Sequence, residues 1–98
     1  MSRHFIQRIR ERIGPHVDPL TVMGYLRDGL QRGDPDIEFV TRISKSGLRL
    51  FRFNCPGDGR DFYVVVETPH MHLITVLPPG FTVNRIGKAP LQLPEGLI

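Results

Sequence analysis

Apolar residues in the first third of the chain recur at helical spacing. Phe5, Ile9 and Ile13 fall at i, i+4 and i+8 with Ile6 beside them, a stripe that an α-helix buries along one side. Gly14-Pro15 ends that helix, because glycine takes the left-handed position after a helix and proline cannot continue one. Asp18 and Pro19 then suit the N-cap and first turn of a second helix running to about Gln31. Its buried face is expected around Leu20, Met23, Leu26 and Leu30. Gly24 and Gly29 inside it each cost about 1 kcal/mol relative to alanine, and close approach of a neighbouring element accounts for them.

After Pro35 the period changes from 3.6 to 2. Ile37, Phe39, Thr41 and Ile43 alternate with Glu38, Val40 and Arg42, a strand with one wetter face. Ser44-Lys45-Ser46-Gly47 turns into a second strand, Leu48 to Asn54. Cys55-Pro56-Gly57-Asp58-Gly59 is the strongest turn signal. The third strand, Phe62-Tyr63-Val64-Val65-Val66, is apolar on both faces and therefore central. A fourth spans His72 to Leu77, and Pro78-Pro79-Gly80 stops it. Short connections make neighbouring antiparallel strands. The pattern predicts an α+β domain over residues 1–80, two N-terminal helices packed on one face of a four-stranded antiparallel meander. Residues 81–98 read as a Pro/Gly-rich extended tail packed on the body through Leu91, Leu93, Leu97 and Ile98, with room for one extra edge strand.

Ninety-eight residues suffice for one modest core. No apolar run reaches the roughly 18 residues of a membrane span, and the charged N-terminus lacks the apolar core of a cleavable signal. The single cysteine, Cys55, excludes an intrachain disulfide and fits a reducing compartment, so a cytoplasmic location is expected. Charge is unevenly placed. The first thirteen residues hold four arginines against Glu11, which is the whole net charge of +3; the rest of the chain holds nine basic and nine acidic residues. Arg42, Lys45, Arg49 and Arg52 form a second basic group with no acid between Phe39 and Gly57. Clustered positive potential of this kind attracts polyanions.

Candidate chemistry concentrates on the first helix. His4, Arg8 and Arg12 repeat the spacing of the apolar stripe one residue back, about 100° round the helix, so that an imidazole and two guanidiniums line the margin of the buried face. Histidine suits proton transfer at neutral pH, and arginine binds phosphate in two-pronged fashion. Arg49 and Arg52, at odd spacing, lie on opposite faces of their strand, and Arg52 has Glu67 as a cross-sheet partner by charge. His70-Met71-His72 has the spacing of a two-histidine clip, but no carboxylate or cysteine is placed as a third ligand, so neither metal nor cofactor is assigned.

The His4-Phe5, Arg8 and Arg12-Ile13-Gly14 pattern, followed by a meander ending in Ile74-Thr75-Val76-Leu77-Pro78, resembles the small ribonuclease toxins of the RelE, colicin and EndoU superfamily. The likeness is to a prokaryotic branch with a first-helix His and Arg and a last-strand Thr. The chain lacks the strand those toxins place before their helices. The resemblance implies a metal-independent endoribonuclease acting on tRNA or other structured RNA. His4 would be its acid–base group, Arg8 its phosphate clamp and Thr75 a donor to the phosphate. Arg12, Arg42, Lys45, Arg49 and Arg52 would contact RNA, and a cognate antitoxin or immunity protein would be the partner. The alternative is a non-catalytic basic protein of phage or mobile-element type that binds nucleic acid or inhibits a host complex.

Overall fold

A computed structural model describes residues 3–94. Helix α1 (Arg3–Arg12) buries Phe5 and Ile9, and α2 (Pro19–Arg32) begins where Asp18 accepts the backbone N–H of Thr21. Gly33, left-handed at φ 70°, closes α2. The face α2 buries is one step round from the expected one: Val22, Met23, Leu26 and Gly29 lie inside, while Leu20 is 57 % exposed. Gly29 explains itself, since a Cβ there would collide with Ile37 Cδ1; Gly24 faces open space and has no such reason.

Strands β1 (Glu38–Arg42), β2 (Leu48–Asn54), β3 (Asp61–Glu67) and β4 (His72–Leu77) form an antiparallel sheet in chain order, the meander read from the sequence. The helices cover one face, where Phe5, Ile9, Val22 and Leu26 meet Phe53, Phe62, Val64 and Val76. The second face has its own core of Leu50, Tyr63, Val65 and Leu77, which requires a second cover. Residues 80–94 supply it. They are not a single extended tail but a two-stranded ribbon, β5 (Thr82–Val83) and β6 (Leu91–Gln92), which sinks Val83 and Leu93 onto that face. Leu97 and Ile98 lie outside the described residues.

Both outer strands carry a bulge. In β1 the register slips at Val40, so Thr41 sits opposite Leu50 and turns to the ribbon side, away from Phe39. The expected single face of Ile37, Phe39, Thr41 and Ile43 is therefore split between the two cores. In β4 the slip at Ile74 turns Leu73 to the helices and Thr75, opposite Val65, to the ribbon. Among the described residues no helix is long and apolar enough to cross a membrane.

Candidate phosphate-binding cleft

The arginine stripe of α1 is spent unevenly along its length. His4 is exposed and has no hydrogen bond or ion pair among the described residues. Arg8 donates to Glu11 at 2.7 Å, and that bond, with a second from Gln7, holds the Glu11 carboxyl below its usual range. Among the described residues Arg12 has no carboxylate within ion-pair distance. It reaches round the outer edge of β4, donates to the carbonyl of Val76 at 2.7 Å, lies 3.5 Å from Thr75 Oγ1, and stacks 5.0 Å over the Phe81 ring. Partial burial, then the neighbouring Arg8, lower its pKa, against a smaller opposing pull from Glu11.

Arg12 lines a cleft of about 770 Å³ together with Arg52, Arg60, Asn54, Tyr63 and the Pro78-Pro79 corner. Arg52 is neutralised there by Glu38 and, at 2.9 Å, by Asp61. The expected partner Glu67 stands across from Leu48, too far along the strand, whereas Arg52 stands across from Tyr63 and directly opposite Glu38. Arg60 donates to Asp58 and to the Ile13 carbonyl at the end of α1. Among the described residues, the cleft guanidinium without an ion pair is thus Arg12's.

Of the residues singled out by sequence, the fold brings Arg12 and Thr75 together but not His4 and Thr75. Eight residues separate His4 from Arg12, about 12 Å along the helix axis at 1.5 Å per residue. Thr75 also faces the ribbon side of the sheet while α1 lies on the other. Arg49 and Arg52 do take opposite faces. Arg42 and Arg49 are direct cross-strand neighbours on the helix side, and Arg49 Nη1 is buried without a hydrogen-bond partner among the described residues. Lys45, in the β1–β2 turn, lines a shallow hollow with Arg42 and Lys88.

Two clusters joined by the fold were invisible locally. His16 Nε2 meets Asp58 Oδ1 at 2.5 Å across 42 residues, and Asp58 also accepts three bonds from Arg60. Arg60 first, then His16, hold the Asp58 carboxyl far below its ordinary range despite burial. Glu67, read as absent from the His70-Met71-His72 clip, is in fact beside it: His70 Nδ1 lies 2.7 Å and His72 Nδ1 3.8 Å from its Oε1. Turn geometry folds residues 67–72 back on themselves, which linear spacing hid. Among the described residues no three such side chains are arranged to hold a metal ion. Cys55 is buried, and burial followed by Asp58 pushes its thiol up to about 11, which leaves it inert as a nucleophile.

No family model matches the chain, nor does any curated protein or solved structure.

Proposed function

We propose that this protein binds RNA through the arginine edge of α1 and the cleft at its C-terminal end, and works in the cytoplasm. The observation that carries the reading is Arg12: a partly buried guanidinium with no carboxylate partner among the described residues, stacked on an aromatic ring and flanked by a hydroxyl. A phosphate supplies the missing counter-charge through a charge-assisted bond. Phe81 beside it, an exposed aromatic, offers ring surface of the kind on which single-stranded bases stack. Arg8, Arg10 and Arg12 extend the positive potential along the helix.

The test is the salt dependence of binding to a labelled single-stranded RNA. Affinity falls steeply with salt for the unmodified chain, and Arg12→Ala lowers it at least tenfold and reduces the slope by about one. A slope near zero removes nucleic acid as the partner.

A second reading, metal-independent cleavage of tRNA or other structured RNA, is favoured by the Arg12–Thr75 juxtaposition, two donors 3.5 Å apart of the kind that suits one non-bridging phosphate oxygen. The ribose 2′-oxygen attacks phosphorus as a base takes its proton. The P–O5′ bond breaks, and an acid protonates the leaving oxygen, giving a 2′,3′-cyclic phosphate and a 5′-hydroxyl. His4, about 12 Å along α1 from Arg12, does not reach a phosphate held there; in this reading Arg12 and Thr75 hold the phosphate, Arg8 adds charge once released from Glu11, and a protein antitoxin restrains the activity. Incubation with total RNA in chelator decides it: cyclic-phosphate ends that fall by about 10²–10³ in Arg12→Ala support cleavage at this site. Intact RNA leaves binding alone.

A further inference from the structure

We propose that the helix-side surface of the β1–β2 hairpin docks an acidic, amphipathic segment of a partner protein. Its apolar anchor would lie in the groove beside Phe39 and its carboxylates on Arg42 and Arg49. This goes beyond the RNA reading and stands without it.

Between the end of α2 and the hairpin runs a groove of about 460 Å³, walled by Leu30, Ile37, Phe39, Phe51 and Met71. Phe39 is 55 % exposed and meets Phe51 edge-to-face at 5.8 Å, so a large aromatic side chain stands in solvent at the groove's rim. The walls are aliphatic, thioether and aromatic. They suit a leucine- or phenylalanine-sized anchor, and methionine adapts to the shape of what enters.

One strand step beyond the Phe39–Phe51 pair, Arg42 stands opposite Arg49 on the same face. Like charges directly opposite one another destabilise a sheet. Neither arginine has an ion-pair partner among the described residues, and Arg49 Nη1 is buried with no acceptor. An unmet charged donor is costly, and nothing among the described residues satisfies it. The acids at the other end of the groove are already used: Glu38 by Arg52, Asp34 by Arg32 and by the backbone N–H of Asp36. The open charge of this surface is therefore positive and its open area apolar. That combination is met by a chain carrying an apolar side chain with carboxylates a strand step away, a helix-in-groove or extended-segment mode of recognition. A nucleic acid strand would meet the two arginines but leave the aliphatic groove unfilled.

The experiment is selection of a random peptide library on the immobilised chain, followed by affinity measurement of the selected peptides on the unmodified chain, Phe39→Ser and Arg42→Glu. The second variant supplies within the chain the carboxylate that Arg49 lacks. Its thermal midpoint should not fall, which separates lost docking from lost folding. The selected peptides should be acidic with an apolar anchor, and both variants should weaken them about tenfold or more. A poly-uridylate strand, measured on the same variants, should be indifferent to Phe39→Ser. The proposal is overturned if no peptide is selected, if the selected ones lack acidic residues, or if either variant binds them unchanged. It is also overturned, and the arginine pair assigned to RNA instead, if Arg42→Glu abolishes poly-uridylate binding while leaving the peptides unaffected.

Discussion

The two faces of the sheet are covered by layers of opposite character. On the helix side, α1 and α2 satisfy their own backbone hydrogen bonds and contribute long side chains to one continuous core. On the other side the cover is a ribbon of two-residue strands, which cannot stand alone. The ribbon is held by Val83 and Leu93 in the second core, by the Ile86 N–H to the Ile43 carbonyl, and by Arg85 to Thr41. Arg12 joins the two covers, since its guanidinium crosses the β4 edge to lie on Phe81. A central sheet that is apolar on both sides makes the second, weaker cover as necessary as the first.

The sharpest way to break that comparison is to remove the ribbon. A chain ending at Gly80 exposes Leu50, Tyr63, Val65 and Leu77. Each such side chain represents about 1.5–3 kcal/mol of burial, and the sum rivals the total stability of a small domain, about 5–15 kcal/mol. The shortened chain should show no cooperative thermal transition by circular dichroism. A transition close to that of the full chain would mean that the second face is not a core. The next effect compares the layers side by side. Phe5→Ala should cost about 3–5 kcal/mol and Leu93→Ala about 2–5 kcal/mol in urea unfolding, as for fully buried side chains. A Leu93 effect near zero would reduce the ribbon to decoration.

A smaller, pH-dependent difference belongs to the helix side. Asp58 has its folded pKa depressed by Arg60 and His16, so its contribution is present above the unfolded value, about 3.9, and is lost as pH falls through and below it. Thermal midpoints of the unmodified chain and Asp58→Asn should differ at pH 7 and converge as pH drops below about 4. Parallel curves would show that the carboxylate does not titrate with folding. Smallest of all, His4→Ala should change stability by less than about 0.5 kcal/mol, as for a surface position. A larger loss would place the imidazole in a contact that the fold does not give it.

The helices, the meander and the central place of β3 were legible because each rests on a local signal: helical spacing before Gly14, a proline after Asp18, two-sided apolarity from Phe62 to Val66. The ribbon was not legible, because two-residue strands among prolines and glycines carry no measurable period. The face of β1 was misread beyond Val40 because one extra residue inverts all later positions. In the candidate site, the positive stripe of α1 and the opposition of Arg49 and Arg52 followed from spacing alone. The Arg12–Thr75, Arg52–Asp61 and His16–Asp58 contacts did not, because each joins residues that only the turns and the sheet edge bring together.

The two bulges fall on the two outer strands, one each, and the inner β2–β3 ladder has none. A regular edge is a template: it lets a second molecule add its own strand and propagate the sheet indefinitely. An incoming strand would find the pleat of β1 broken after Phe39 and that of β4 broken before Thr75, with Arg12 already bonded to the Val76 carbonyl. Neither β1 nor β4 presents a regular edge along its whole length. The same irregularities that divide the side chains between two cores thus also guard the protein against fibrous self-association at high concentration.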